Sequence, residues 1–427
     1  MKLNIISLQN FALAILCLWI MSPPLTADPL ARAVALLALV TWGLLEIVRT
    51  NGIFLRPTWP VLGAGLFIAY DLTLWYMLRE WTLVSHIQMY ILFTLLIIYE
   101  SRRHDPKSLA PVFWTMMLTL PIWWFSTIRG FDTFGAHAAR TVVRSSDESL
   151  ELMQQGVGGY PLIYSSLILI PVLVLMTFRW RLFDTSSAPR FLRAFPRAFR
   201  LMPPVMLALI AILVLRAGFT IAVILLVATL AVSLMYLRTR PWILLMAPLV
   251  ALFLVILGQI FLQDITELLI PLADGTSFVH KLRDLQLSLE AGGSTGTVAD
   301  RTERYLRSIN SFLQNPIFGV LGDRGVGNHS AYLDYFAQRG LFFGMLYMGL
   351  MLYLPVRMLR QHPGMLSMTG GVLAVMILFP LLNSVTMAVG VVLFIMFPVA
   401  CAITREFGSN PKPPRPATST ARRVSPA

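Results

Sequence analysis

Long apolar runs separated by short charged segments set the strongest limit on how this chain folds. Several runs continue for roughly 18 or more residues with almost no charge, which is the length that an α-helix needs to cross a hydrocarbon core of about 30 Å. Charged residues make up 13% of the 427 residues, about half the share found in typical soluble domains. The alternating segments of outer-membrane strands are missing. The sequence therefore predicts an all-α, polytopic membrane protein.

Twelve membrane-spanning helices are predicted. They cover residues 5–22, 30–48, 58–77, 83–100, 109–127, 160–178, 202–215, 218–236, 242–262, 336–356, 368–382 and 386–403. An even number places both termini on one side, and most of the 34 Lys and Arg residues lie in segments on that side. The positive-inside rule identifies that side as cytoplasmic. A cleaved signal peptide is the alternative for the N-terminus, but its apolar stretch is long and more spans follow.

These spans divide the chain into four parts. Residues 1–262 hold the first nine helices, 263–335 form a long extracytoplasmic loop with the candidate site motif, and 336–404 hold the last three helices. Residues 405–427 are rich in Pro, Ser and Thr and are predicted to be a disordered cytoplasmic tail. The net charge is +13. Because the basic residues lie in short segments between the apolar runs, this charge indicates membrane orientation and not nucleic-acid binding.

The long loop contains the segment "ADRTERYLRSINSFLQNPIFG", which predicts an amphipathic helix. Asp300 is the candidate N-cap with Glu303 as its capping partner, and Pro316 ends the helix. The apolar stripe consists of Tyr305, Leu306, Ile309, Phe312 and Leu313. The other side carries Arg301, Arg304 and Arg307. Such a helix lies on the membrane surface, and its arginines face either an external cavity or simply water.

A glycine-rich segment, "GVLGDRGVGNHS", follows this helix. Its glycines allow sharp turns, and Asn328 is expected to cap a helix that starts at His329. The positive end of the helix dipole would then favour the uncharged imidazole, which is the form that a general base requires. The alternative is that His329 only makes a hydrogen bond within the loop.

Two charged residues interrupt apolar runs. Arg216 lies near the middle of residues 202–236, and a helical hairpin would place it at the extracytoplasmic turn. An arginine facing lipid at the bilayer centre would cost about 2.5–3.5 kcal/mol, so Arg216 is a candidate functional residue, with contact to lipid headgroups as the alternative. Asp71 is predicted to be paired within the bundle.

Other expectations concern groups that bind anions. The sequence has no phosphate-binding loop of the G-x-x-x-x-G-K-[ST] form and no Cys/His spacing typical of a metal site. No metal or other cofactor is therefore expected. Arginine, whose planar guanidinium suits bidentate phosphate contacts, is the expected cation. Arg144 and Arg324, each in an extracytoplasmic loop, are further candidates.

The segment from Asp300 to Phe342 resembles the signature region of the bacterial O-antigen ligase and O-antigen polymerase superfamily. In that family an Arg-bearing helix enters an Asn-Pro-Leu/Ile-x-Gly turn, matched here by residues 315–319. A His with a following Asn, Ser or Gln comes next, then nine residues and a glycine, matched by His329, Ser330 and Gly340. Two departures are Leu215, where serine usually precedes the arginine of the helical turn, and Gly344, one residue later than usual.

The resemblance implies a C-type glycosyltransferase fold and a periplasmic active site in the bacterial inner membrane. It implies metal-independent, inverting transfer of a glycan from undecaprenyl pyrophosphate to an acceptor hydroxyl. His329 would deprotonate that hydroxyl, and Arg216, Arg301 and Arg304 would hold the pyrophosphate. Arg144, Arg307, Arg324 and Ser330 are the further substrate-binding candidates. Expected partners are the lipid-linked donor, an acceptor glycan or lipid A–core, membrane lipids and a chain-length regulator.

Three readings of the acceptor stay open. A polymerase extends another lipid-linked repeat unit, and "GNHSAYLDYFAQRGLF" is closer to polymerase versions of the motif. A ligase transfers the chain to lipid A–core, and a protein O-oligosaccharyltransferase is a third choice. A transporter or flippase of lipid-linked glycans is the alternative outside enzymes, and it would place the arginines and His329 along a central path instead of in one external pocket.

Overall fold

The computed structural model describes most of the chain. The described residues are 4–49, 52–78, 83–135, 138–142, 146–235, 237, 296–322 and 325–404, with single residues at 270, 271, 279, 283 and 286. Within these ranges the secondary structure is helical, apart from one isolated bridge between Phe183 and Thr404. The predicted all-α class is confirmed.

The described residues form sixteen α-helices, which are numbered here in chain order. The first eight are α1 (Ile5–Met21), α2 (Pro23–Ala27), α3 (Pro29–Val48), α4 (Trp59–Leu78), α5 (Leu83–Ser101), α6 (Ala110–Phe134), α7 (Ala138–Thr141) and α8 (Asp147–Gln154). The next four are α9 (Tyr160–Phe178), α10 (Arg190–Ala194), α11 (Pro196–Ala217) and α12 (Thr220–Met235). The last four are α13 (Gly296–Gln314), α14 (Ala331–Gln361), α15 (Leu366–Leu382) and α16 (Met387–Ile403), the last of which contains a π-helical stretch.

The described part of the chain has 7 helices that are long and apolar enough to cross a membrane. Shorter apolar helices coincide with four more predicted spans, namely α1, α5, α12 and α16. The predicted span 242–262 lies outside the described residues. The multi-pass character is therefore supported, and the total of twelve spans stays a prediction.

The outer surface of the bundle is apolar. On α3, Leu37 and Leu44 are 66% and 59% exposed, while Ala35 and Trp42 on the opposite face are buried. Large exposed apolar areas are rare on soluble monomers and typical of membrane contact. This arrangement fits a helix that faces lipid on one side and the bundle on the other.

Two helices form the centre of the bundle. Nearly every residue of α9 is buried, and so is nearly every residue of α16. A helix that is apolar all around belongs in the core. Most of the other spans pack directly against this pair, whereas α3 packs on α1, and α4 packs on α5 and α14. Cys17 and Cys401, expected from their apolar surroundings to be packing residues, are both buried and free.

Polar contacts connect the helices at the end of the bundle that carries the predicted cytoplasmic segments. Glu100, at the end of α5, accepts hydrogen bonds from Thr58 at 2.7 Å and from Tyr353 and Arg357 at 3.0 Å. Asp184 lies in the segment after α9, and hydrogen bonds from Ser186 hold the pKa of its carboxyl below the usual value. These contacts fix the end of the bundle opposite the candidate site.

A buried ion pair holds α14 against α4. The guanidinium of Arg339 is 1% exposed and its Nε donates to Asp71 at 3.0 Å, with a second, shorter bond from Nη2. The other Asp71 oxygen lies 2.8 Å from Tyr90 Oη and 2.8 Å from His86 Nδ1. The prediction that Asp71 is paired within the bundle is confirmed. Its partner, Arg339, is the residue directly before Gly340 of the candidate site motif.

The helix α14 breaks immediately after this arginine. Gly340 has φ 71°, a left-handed conformation that glycine adopts without strain. The turn 315–319 packs on the break: Leu341 N donates to Pro316 O at 2.8 Å, and a Cβ on Gly340 would overlap the carbonyl of Ile317. The nine-residue spacing in the motif thus places two glycine turns in direct contact.

Candidate functional site

The helix α13 has one face on the protein and one face away from it. Tyr305 donates to the carbonyl of Leu382 at 3.0 Å, Ser308 is buried, and the Phe312 ring packs against Phe336 at 5.5 Å. Leu306, Ile309 and Leu313, which were predicted to lie in the same apolar stripe, are exposed, so only part of that stripe packs on the protein. The predicted helix is confirmed, but its predicted start is wrong, because the helix begins at Gly296 and Asp300 lies inside it.

The loop from Gly325 to Ser330 is fixed by two buried side chains that sequence reasoning did not identify. Ser308 accepts from Gly327 N at 2.9 Å and donates to Asp334 Oδ1 at 2.6 Å. A Cβ on Gly327 would overlap the Arg304 carbonyl, so glycine is required where the loop lies against α13. The loop that carries the histidine is therefore held between α13 and α14.

The predicted cap of α14 is wrong. Asn328 has φ 56° and does not cap the helix, which begins at Ala331 with Ser330 as its N-cap. Ser330 Oγ accepts from Leu333 N at 3.2 Å, and Asp334 Oδ2 accepts from Ser330 N at 2.9 Å. These reciprocal bonds satisfy the start of the helix. His329 consequently lies just before the cap and not in the first helical turn.

His329 has one ring nitrogen fixed by the backbone. Its Nδ1 lies 2.7 Å from the carbonyl oxygen of Asn328. A carbonyl oxygen only accepts hydrogen bonds, so Nδ1 carries the proton. In the uncharged ring Nε2 then has a free lone pair, which is the atom that a general base uses. The half-buried ring lies at the surface of a cavity.

That cavity has a volume of about 840 Å³. It lies where the predicted extracytoplasmic ends of the helices meet: α2, the first turns of α3 and α9, the helix α8, and the turn between α15 and α16. Its polar lining includes Arg32, Asp147, Asn328, His329, Asn383 and Thr386. We call this the His329 cavity.

The predicted arginines lie elsewhere or outside the described residues. Arg216 ends α11 at the hairpin turn, as predicted, and its exposed guanidinium contacts Asp132 at 2.6 Å. Arg304 is exposed, and Arg307 pairs with Glu303 at 2.7 Å. Arg301 is on α13, but nothing is described of its side chain, and Arg144 and Arg324 lie outside the described residues.

The hairpin of Arg216 nevertheless adjoins the His329 cavity. Phe219, three residues on, lines the cavity and packs against Tyr160 and Tyr164 with ring centroids 6.3 and 6.0 Å apart. The described cavity lining contains one arginine, Arg32, which was not predicted. In the sequence Arg32 lies near the start of the predicted span 30–48, where no motif surrounds it.

Two further cavity residues were missed. Asn383 is 9% exposed, and its Nδ2 has no hydrogen-bond partner among the described residues. The Oγ1 atom of Thr386 also lacks a hydrogen-bond partner there. Both belong to the short connection "NSVT" between α15 and α16, which in sequence looks like a plain turn. An unpaired buried polar group at a cavity is the signal that only the structure supplies.

Groups of three or more His, Cys, Asp or Glu that are able to hold a metal ion are absent from the described residues. Comparison with known proteins adds no assignment: no protein-family model, no curated protein and no solved structure matches the chain.

Proposed function

We propose that this protein is an inner-membrane glycosyltransferase that moves a glycan from undecaprenyl pyrophosphate to a sugar hydroxyl, with His329 as the general base. The proposal rests on the motif resemblance and on one structural observation. That observation is a histidine whose Nδ1 is held by a backbone carbonyl and whose ring lines an 840 Å³ cavity at the predicted periplasmic end.

The proposed reaction combines this geometry with the chemistry that the resemblance implies. Nε2 of His329 takes the proton of the acceptor hydroxyl, whose oxygen attacks the anomeric carbon. The pyrophosphate leaves from the opposite face with the bonding electron pair, so the anomeric configuration inverts. Positive groups near the leaving oxygen stabilise the charge that develops there. Arg216, at the hairpin beside the cavity, and Arg301 and Arg304 on α13 are the proposed contributors, and no step requires a metal.

The site geometry favours transfer over transport. The lining residues of the His329 cavity come from one end of the helices, whereas transporters usually place their polar groups near the midplane. Within the transferase class we favour a polymerase, because His329 and Ser330 stand in a motif closer to polymerase versions. A ligase that uses lipid A–core is the alternative.

The decisive experiment uses purified full-length protein in liposomes, supplied with a lipid-linked repeat unit, with and without lipid A–core. A ladder of products without lipid A–core identifies a polymerase, and label that moves only onto lipid A–core identifies a ligase. His329→Ala is expected to remove either activity. Movement of the intact donor across the bilayer without any transfer would contradict the proposal and identify a transporter.

A further inference from the structure

The connection between α15 and α16, residues 383–388, lies on the wall of the His329 cavity. We call it the open turn. Asn383, Ser384, Thr386, Met387 and Ala388 all line the cavity. The question is what its polar groups bind, because they do not bind one another.

The first observation concerns the start of α16. Thr386 is the N-cap residue, yet its side chain makes no capping hydrogen bond. The first N–H groups of a helix have no partner within the helix and carry the positive end of its dipole. The first N–H groups of α16, those of Met387 and Ala388, therefore lack a side-chain cap, and both residues line the cavity.

The second observation is independent of the helix. Asn383 is 9% exposed, and its Nδ2 has no hydrogen-bond partner among the residues that the structure describes. The Oγ1 of Thr386 is also buried and unpaired there. Buried donors of this kind are normally satisfied. Two of them on one short turn beside a cavity indicate a ligand with several acceptor oxygens.

The third observation is charge. Arg32 lines the same cavity, and none of the ion pairs between described residues involves it. A second helix, α9, also begins at the cavity, with Gly159 at the N-cap position and no side-chain cap. Arg32 and the one described acidic residue of the lining, Asp147, are both exposed, so their opposite charges offset each other. The buried part of the wall favours an anion because it holds two helix starts without a side-chain cap and unpaired donors.

We infer that the open turn and Arg32 bind the phosphate oxygens of the lipid-linked donor. The side chains of Asn383 and Thr386 and the N–H groups of Met387 and Ala388 donate to these oxygens, and Arg32 supplies the positive charge. The inference rests on the proposed function for the identity of the lipid. It adds phosphate contacts from residues other than the arginines that the sequence singled out.

The test is a set of binding measurements on full-length protein in nanodiscs. The ligands are undecaprenyl pyrophosphate, undecaprenol, which lacks the phosphates, and inorganic pyrophosphate. The variants are Thr386→Val, Asn383→Leu and Arg32→Gln. Thr41→Val on α3 and Arg190→Gln on α10 are matched controls, because neither residue lines the cavity.

Each cavity variant is expected to raise the Kd for undecaprenyl pyrophosphate about tenfold, as loss of a charge-assisted hydrogen bond does. The Kd for undecaprenol is expected to stay unchanged, and the two controls to bind both lipids like the wild type. Thr386→Ser, which keeps the hydroxyl, is expected to restore binding. Wild-type Kd values in all three variants would overturn the inference, and so would equal losses for both lipids.

Inorganic pyrophosphate separates the two sources of phosphate. Much weaker binding than that of the lipid supports a headgroup site, whereas equally tight binding would overturn the lipid assignment. Failure here is distinct from failure of the proposed function. Glycan transfer with unaffected binding in the variants overturns this inference alone, and Thr386-dependent binding without any transfer overturns the proposed function alone.

Discussion

Of the helices that begin at or beside the His329 cavity, α14 and α16 begin in opposite ways. At the start of α14, residues 330–334, every strong polar group has a partner: Asp334 binds Ser330 N and Ser308, and Ser330 caps Leu333 N. We call this the closed start. At the open turn, Thr386 does not cap and Asn383 has an unpaired amide nitrogen. The two regions touch, since Ala331 N donates to Asn383 O at 3.1 Å.

The difference separates structural from binding residues. A helix start whose groups are saturated by its own chain contributes stability and holds a loop in place. A start that is left unsatisfied beside a cavity costs stability and is useful only when a ligand completes it. Ser330 was predicted to bind substrate, but it is fully buried and its hydroxyl contacts Leu333 N and the Pro380 carbonyl. Its contacts are those of a cap, and substrate contact stays a prediction.

The largest effect is expected from breaking the closed start. Asp334→Ala leaves the Ser330 N–H buried without an acceptor and the Ser308 hydroxyl with only the Arg304 carbonyl at 3.4 Å, which should lower the free energy of unfolding by about 3 kcal/mol. Thermal unfolding in detergent measures this change. Asp334→Asn retains an acceptor oxygen and should lose less. Equal melting temperatures for Asp334→Ala and the wild type would show that the closed start is not what stabilises this loop.

A matched pair of smaller changes sharpens the comparison. Ser330→Ala removes the cap and should cost about 1 kcal/mol of stability, with little change in the Kd for undecaprenyl pyrophosphate. Thr386→Val should do the reverse, since its hydroxyl stabilises nothing within the described fold. Melting temperature and Kd are measured on the same samples. If Ser330→Ala raises the Kd and Thr386→Val lowers the melting temperature, the distinction between the closed start and the open turn is wrong.

The smallest effect is expected at the Arg216 hairpin. Both members of the Arg216–Asp132 pair are exposed, and such pairs contribute about 0.2–1 kcal/mol. Arg216→Gln and Asp132→Asn should therefore change the melting temperature slightly and equally. Steady-state kinetics distinguishes a further role: if Arg216 contacts the donor, only Arg216→Gln raises KM. Equal KM values in the two variants would show that Arg216 contributes its ion pair with Asp132 and makes no contact with the donor.

The sequence predicted most of the helices and part of the site, for reasons that are local. Hydropathy depends on each segment alone, so the spans coincide with helices wherever the chain is described. The motif spacing was also informative, because the turn at Gly319 and the break at Gly340 are in contact. Asp71 was correctly expected to be paired, since an unpaired carboxylate inside the bundle would be costly.

The rest depended on contacts distant in sequence. Asp300 and Asn328 satisfy local capping rules, but the extended α13 and the pairing of Ser330 with Asp334 displaced both. Ser308 and Asp334 are separated by 26 positions, and neither is among the positions matched to the family, which are 315–319, 329, 330 and 340. The role of the open turn follows from what Asn383 and Thr386 lack, and a missing partner leaves no pattern in the sequence.

The central claim is that His329 removes the acceptor proton in this cavity. The most direct measurement compares the single-turnover rate of glycan transfer and the Kd for the lipid-linked donor in the wild type, His329→Ala and His329→Gln. The account predicts that both variants lose about 10²–10⁴-fold in rate and retain the wild-type Kd. A rate near that of the wild type in either variant, with the donor still bound, would contradict it.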